Sequence, residues 1–368
     1  MRPLPLLFTL ALATTLAAAE PYPLWDGHES VTDYAKRVNL APAKTLDLGD
    51  NVKLELVLIP AGQFIMGTPE PVPVDEDRFH KQILTGQVLF AVCGVVLLFM
   101  LVFVIVQAVR NRQRPKYSLI RLLAMTIAAG GAVLSGVHWR QSKDGFQAAQ
   151  VEYAAALARF QIANDYEKPA HDEMLTKPFY MGKYDITQEQ YQQLVGSNPS
   201  NFKGKDSPVE HVSWDDAQAF CKKLSELTHE AVRLPTEAER EYSCRAGTVT
   251  TFYAGDAESN LVRVAWYKAN SKNTTHPVGR KESNAFGLYD MHGNVWQWCQ
   301  DWYAEDYYGK SPAKDPEGPG RGDARLLRGG SWYNGPMNCR SAYRGRIDPG
   351  RRYGRLGFRV VEPAFRTR

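Results

Sequence analysis

The sequence predicts a loop-rich globular domain that is interrupted by a membrane hairpin. The chain has 29 glycines, 22 prolines, 18 tyrosines and 8 tryptophans in 368 residues, a composition in which aromatic burial replaces long regular elements. Two tryptophan-rich segments tethered by glycine, 287–298 (GLYDMHGNVWQW) and 328–332 (RGGSW), indicate closely packed loops. An apolar run without charge over residues 83–109 predicts the hairpin. We expect the function to reside in the chain after about Pro169.

The net charge and the N-terminus limit the possible partners and location. The formal net charge is +4, and the soluble part has no block of Lys and Arg interleaved with aromatic residues. We therefore expect no nucleic-acid partner. Residues 1–20 combine Arg2, a short apolar run and small residues at 17–19, which indicates a secretory signal peptide, with an uncleaved anchor as the alternative. Either would place the following chain outside the cytoplasm.

Two apolar segments predict transmembrane helices. The first, about 83–109, is long enough to cross a bilayer with some tilt. The second, about 120–139, is weaker, and a re-entrant or interfacial segment is the alternative. A cytoplasmic loop between them is favoured by four basic residues, Arg110, Arg112, Arg114 and Lys116.

This hairpin predicts the domain organisation of the chain. The insertion covers 69–166 and ends in an alanine-rich helical stalk, 141–165. Because a hairpin returns the chain to the side it left, residues 21–68 and 167–368 would form one domain on the extracytoplasmic side of the membrane.

Local signals predict the elements of that domain in chain order. Residues 21–50 suggest a short amphipathic helix, and the alternation over 52–66 predicts strand, turn and strand. Three helices are predicted by N-cap signals at Thr187, at Ser213 or Asp215, and at Thr236. The second of these helices would bury Ala217, Phe220, Cys221 and Leu224.

Together these segments resemble the sulfatase-modifying-factor family, the formylglycine-generating-enzyme domain. They cover nearly all of 48–361 except the insertion. The resemblance implies an irregular α+β fold of the C-type-lectin type. The motifs that carry it are 59–62 (IPAG), 66–67 (MG), 210–217 (EHVSWDDA), 233–239 (RLPTEAE), 284–296 (NAFGLYDMHGNVW), 328–332 (RGGSW) and 357–359 (GFR).

The resemblance also defines a test for catalysis. Enzymes of this family oxidise a sulfatase cysteine to formylglycine with copper(I) held by two cysteines after the RGGS segment, and thiolates are the ligands that select Cu(I). The first of these positions is Asn334, whose amide cannot replace a thiolate. The second is Cys339 when counted from Arg328, but counting back from 357–359 displaces the match by about three residues. We therefore expect no bound copper, and Cys339 is the one remaining catalytic candidate.

A calcium site and a pocket wall are implied in the same way. Oxygen ligands suit calcium, but a glutamine replaces the family's glutamate, so we expect a weakened site or a hydrogen-bonded loop without an ion. The matching calcium positions are Asp290, Gly293, Val295 and Gln297, with Asn260 from part of a second site. The matching pocket positions are Trp296, Ser331 and Arg344.

Four cysteines lie outside the predicted membrane helix, which contains Cys93. In an exported domain an even number predicts disulfides. The neighbouring tryptophan-rich segments favour Cys299–Cys339, and two successive helices would then join Cys221 to Cys244. Free structural thiols, or a metal or redox role, are the alternatives.

Two classes of function remain. The first is a membrane-anchored, extracytoplasmic binding or scaffold domain that uses the family pocket for an exported protein, a sulfatase-like peptide or a small ligand. The second is a formylglycine-generating oxidase. The missing copper pair favours the first.

Overall fold

The computed structural model describes residues 22–110, 119–163 and 165–365. They form two compact units, one made of the residues up to Pro69 together with those from Ile162 onward, and the other of Glu70–Gln161. The predicted signal peptide and most of the predicted basic loop lie outside the described residues.

The first unit is an α+β domain of short elements, as the sequence predicts. The helices of the described chain are α1 (Val31–Arg37), α2 (Glu76–Arg110), α3 (Leu119–Ile162), α4 (Gln188–Val195), α5 (Trp214–Thr228), α6 (Glu237–Arg245) and α7 (Glu258–Val264). The strands are β1 (Ala43–Asp47), β2 (Lys53–Ile59), β3 (Gly62–Met66), β4 (His171–Leu175), β5 (Phe179–Gly182), β6 (Ala265–Trp266), β7 (His292–Gly293), β8 (Trp296–Trp302), β9 (Arg325–Arg328), β10 (Gly345–Ile347), β11 (Leu356–Gly357) and β12 (Val361–Pro363).

Two four-stranded sheets organise this domain. The first sheet is antiparallel and has the order β1-β2-β5-β12. The second has the order β10-β9-β8-β11, in which β11 runs parallel to β8 and the other pairs are antiparallel. Two small pairs, β3-β4 and β6-β7, complete the set. The second sheet contains the end of the 287–298 motif and the start of the 328–332 motif, because β8 begins at Trp296 and β9 ends at Arg328.

The predicted helix starts are confirmed. Thr187, Ser213 and Thr236 each accept a backbone N–H three residues on, and each helix also has the reciprocal side-chain bond of a capping box. Along α5 the buried positions recur at the spacing of one helix face, which presses that face against the first sheet. They are the four predicted residues, Ala217, Phe220, Cys221 and Leu224.

Three hydrophobic cores lie in the first unit. The first core includes Leu56, Leu58, Phe220 and Phe358, and the second core includes Met66, Leu175, Tyr242 and Phe286. The third core is small and consists of Phe252, Leu261, Val264, Ala265, Tyr267 and Cys339.

The second unit corrects the membrane prediction. The two predicted spans fall within α2 and α3, which are helical as expected, and α3 continues to Ile162 through most of the predicted stalk. In the part of the chain that the structure describes, however, no helix combines the length and apolar character needed to cross a membrane. The transmembrane hairpin is therefore not supported.

Candidate functional site

A cavity of about 340 Å³ lies at the second sheet, where β8, β9, β10 and β11 meet the loop after Ser331. Its wall contains four aromatic side chains and three arginines, and no Asp or Glu is among the described residues that line it. We call it the arginine pocket. The lining residues are Tyr166, Trp296, Leu327, Asn334, Asn338, Tyr343, Arg344, Gly345, Arg346, Ile347, Tyr353, Arg355 and Leu356.

Two of the three predicted pocket residues line this cavity, and the third lies next to it. Trp296 and Arg344 line the arginine pocket directly. Ser331 is fully buried behind the wall, and its hydroxyl donates to Oδ1 of Asn334 at 2.6 Å. The backbone at Gly330 has φ +73°, and a Cβ there would lie 2.6 Å from Sγ of Cys339. Only glycine therefore allows the RGGS segment to pass this close to the following loop.

Helix α6 positions Arg344 through a buried carboxylate. Glu237 accepts two bonds from this guanidinium, from Nε at 2.7 Å and from Nη2 at 2.9 Å. One turn further along α6, Glu241 pairs with Arg328 at the end of β9 and with Arg245 at 2.8 Å. Burial raises the pKa of Glu241, but Arg328 and Arg245 outweigh it and hold that pKa below its usual value. Because the two glutamates are four residues apart, they lie on one face of α6. From that face Glu241 binds Arg328 and Glu237 binds Arg344, the two ends of the 328–344 segment.

A second buried ion pair fixes the loop that closes the arginine pocket. Arg340 donates to Glu167 from Nη1 at 2.6 Å and from Nη2 at 2.5 Å. The neighbouring Tyr166 lines the pocket, and its carbonyl accepts Nη1 of Arg344 at 3.0 Å. The sequence predicts the boundary between the insertion and the main domain between Tyr166 and Glu167. In the structure both belong to the first unit and build the pocket wall.

The predicted catalytic residue does not lie in the arginine pocket. Cys339 is fully buried in the third core, and burial raises the pKa of its thiol to about 12. Its neighbour Asn338 lines the cavity instead. Asn334, at the other copper position, presents an amide that is bonded to Ser331. One protonated thiol and one amide do not fit copper(I), which takes two thiolates.

The predicted calcium ligands form a loop that is closed by protein groups. The carboxylate of Asp290 is buried and accepts the N–H of Gly279 at 2.8 Å and Nδ2 of Asn294 at 3.4 Å. Oε1 of Gln297 accepts Nε of Arg240 at 2.5 Å and Nε of Arg359 at 2.8 Å.

Two guanidinium groups therefore converge on the oxygen that would have to bind calcium, and their charge opposes a divalent cation. Asn260 lies elsewhere and accepts the N–H of Ala257 at the start of α7. The described residues contain no group of three His, Cys, Asp or Glu side chains that could hold a metal. In this arrangement the side-chain oxygen of Gln297 is occupied by hydrogen bonds to Arg240 and Arg359.

Backbone packing gives the same loop its shape. Gly293 has φ +73°, and a Cβ at this position would lie 2.2 Å from the carbonyl oxygen of Trp266. The N–H of Gly293 donates to the carbonyl of Gly329 at 2.8 Å, which joins the 287–298 motif to the 328–332 motif. Val295, the remaining predicted calcium position, is fully buried.

The structure does not contain the predicted disulfides among its described residues. Cys221, Cys244, Cys299 and Cys339 are all free and buried. Cys221, Cys244 and Cys339 belong to the first, second and third cores respectively. These three thiols therefore lie in separate cores of the fold.

Two arginines that line the arginine pocket, Arg346 and Arg355, are not among the residues predicted from the sequence. The sequence does contain a signal for a basic surface here, because residues 340–355 contain six arginines and a single acidic residue, Asp348. Tyr166 carried no such signal, since it lies far in sequence from the residues it joins.

Comparisons with known proteins agree with this fold. A family profile described as the sulfatase-modifying factor enzyme 1-like domain (FGE-sulfatase) matches residues 125–364. The chain is 30% identical over 233 residues to the chaperone protein LppX of Paenibacillus barcinonensis, covering 50% of this chain and 79% of that protein. It is 39% identical over 175 residues to the formylglycine-generating enzyme of Streptomyces coelicolor, covering 44% of this chain and 54% of the enzyme.

A solved structure, the Treponema denticola variable protein 1, resembles 88% of this chain over 99% of its own length, with a TM-score of 0.58 and 25% identity. The profile covers well over half of the chain and spans both tryptophan-rich motifs. The chain therefore belongs to the sulfatase-modifying-factor (FGE-sulfatase) family.

Proposed function

We propose that this protein is a binding member of its family, and that its arginine pocket takes a ligand without copper-dependent formylglycine chemistry. The observation that carries this proposal is the separation of the two copper positions. Asn334 lines the pocket, whereas Cys339 is buried in the third core with a raised pKa. A pocket without the two thiolates keeps a shape suited to binding and lacks the ligand pair that would hold copper(I) for oxidation.

The ligand in this proposal is a small molecule or part of an exported protein or peptide. A relative described as a chaperone, 30% identical over 79% of its length, favours a binding role over catalysis. We also propose that the domain is extracytoplasmic, as residues 1–20 predict. We propose in addition that the 287–298 loop folds without calcium.

Formylglycine generation is the second candidate, because the Streptomyces coelicolor enzyme is 39% identical over 175 residues. The test is to incubate the full-length chain with copper and a peptide that carries a sulfatase-type cysteine motif, and to measure the peptide's mass. We expect no conversion of the cysteine to formylglycine. The Streptomyces enzyme is the positive control.

An Asn334→Cys variant sharpens this test. It restores the first thiol but leaves Cys339 in the third core, so we expect neither tight copper(I) binding nor peptide oxidation. Copper-dependent formylglycine formation by the native chain would refute the proposed function.

A further inference from the structure

We propose that the arginine pocket binds a small organic anion, a carboxylate or phosphate attached to a planar apolar group, and that Arg346 and Arg355 bind its acid group. This inference rests on the proposed function, because it names the ligand class of the same pocket. It is carried by the placement of these two guanidinium groups, the charge balance of the wall and the size of the cavity.

Both guanidinium groups lie over tyrosine rings at cation–π distance. Cζ of Arg346 lies 4.2 Å from the ring centroid of Tyr303 and 4.5 Å from that of Tyr166. Cζ of Arg355 lies 4.8 Å from the ring centroid of Tyr353 and 5.4 Å from that of Tyr333. A cation–π contact does not use the N–H donors of a guanidinium in hydrogen bonds, and those donors match a carboxylate or phosphate in two-bond geometry.

The charge of these two arginines is not balanced within the pocket. Over the described ranges, neither Arg346 nor Arg355 forms an ion pair with a carboxylate, and no acid lines the cavity. The third arginine differs, because Glu237 neutralises Arg344 with two bonds. A concave wall with two uncompensated positive charges attracts an anion and repels a cation.

The rest of the wall favours a flat apolar body. Trp296 and Tyr343 lie with their ring centroids 5.9 Å apart, and the side chains of Leu327, Ile347 and Leu356 add aliphatic surface. Asn334 and Asn338 contribute neutral amides. At about 340 Å³ the cavity is near the lower end of the roughly 300–1,000 Å³ range of ligand pockets. It therefore suits a single ring that carries an acid group.

The experiment is calorimetric titration of the full-length chain with four matched probes: phenylacetate, phenyl phosphate, the neutral phenylacetamide and the cationic benzylamine. We expect phenylacetate or phenyl phosphate to bind, with an affinity that falls as salt is added, and the amide and amine to bind at least about tenfold more weakly. The two acids distinguish a carboxylate ligand from a phosphate ligand.

Three variants test whether Arg346 and Arg355 bind the acid group of the ligand. Arg346→Gln and Arg355→Gln should each weaken the anion at least about tenfold, because each removes charge-assisted hydrogen bonds. Arg355→Lys should weaken it less, since it keeps the charge but loses the planar donor pair. Arg351→Gln is the matched control, because Arg351 is exposed and does not line the pocket. The melting temperature of each variant reports whether it is folded.

Several outcomes would overturn the inference. They are equal binding of phenylacetate and phenylacetamide, equal weakening by Arg351→Gln and Arg355→Gln, or no binding of either acid at millimolar concentration. Failure of the proposed function is a separate result, because copper-dependent oxidation of a peptide would refute that function and leave anion binding unchanged.

Discussion

Asp301 in β8 is a buried carboxyl group that connects the second sheet to the start of α6. Its side chain is 3% exposed, and Oδ2 accepts the backbone N–H of Glu237 at 2.8 Å. Burial and the neighbouring Glu237 raise the pKa of Asp301 to about 8. Since the unfolded chain would release this proton near the ordinary value of 3.8, the folded chain binds one more proton between these two pH values.

This difference predicts a pH-dependent effect of Asp301→Asn. The free energy of unfolding of the native chain should fall as the pH rises from about 4 to about 8 and then level off. Asparagine is neutral and still accepts the N–H of Glu237, so at pH 9 the variant should be more stable by roughly 1–3 kcal/mol. Melting temperatures of both proteins from pH 4 to 9 measure this. Asp306→Asn, at an exposed site, is the control, and a difference that does not vary with pH would contradict the assignment.

At the scale of elements, α6 connects the second sheet to the wall of the arginine pocket. Its buried Glu237 and Glu241 hold Arg344 and Arg328, which flank the 328–344 segment. The capping box at Thr236 fixes where the helix begins, and so fixes which turn presents the two glutamates. The pocket wall therefore depends on a helix that does not itself line the pocket.

Glu237→Gln tests this connection. The substitution leaves the charge of Arg344 buried without its carboxylate, which should lower the free energy of unfolding by about 3–5 kcal/mol. Urea denaturation measures the change. Glu282→Gln breaks the exposed pair with Arg263 and should have little effect, as surface pairs contribute little. A similar loss in both variants would show that the buried pair does not organise the pocket.

At the scale of the whole molecule, the chain leaves and re-enters the first unit at one place. The N–H of Thr68 donates to the carbonyl of Glu167 at 3.1 Å, and its hydroxyl donates to Oε2 of the same residue at 3.0 Å. The unit inserted between them, Glu70–Gln161, exposes large apolar side chains along α2, including Val88, Leu98 and Phe99. The first unit thus closes its own backbone across the insertion.

Replacing residues 71–160 with a short Gly/Ser linker should therefore leave the first unit folded. We expect a melting temperature close to that of the full chain, unchanged anion binding and less aggregation, since exposed apolar side chains are removed. A deletion extended through residue 167 removes Tyr166 and Glu167 and should weaken both stability and binding. Unfolding of the shorter deletion would show that the insertion is part of the domain's core.

The sequence by itself determined the family, the α+β class and the starts of three helices. Motif order, turn residues and caps at Thr187, Ser213 and Thr236 are local signals, and local signals are readable without a structure. The same reading placed Trp296, Ser331 and Arg344 in one pocket, and it identified Asn334 as the missing copper position.

Only the tertiary structure decided what that pocket contains. Whether Cys339 faces the cavity or a core, and whether Gln297 meets an ion or two arginines, depends on segments more than fifty residues apart in sequence. Cysteine pairing depends on tertiary structure for the same reason, because a count of cysteines does not report the distance between them. Arg346 and Arg355 acquire a role only when Tyr166, Tyr303, Tyr333 and Tyr353 lie beside them, since contacts between distant side chains are properties of the packed chain.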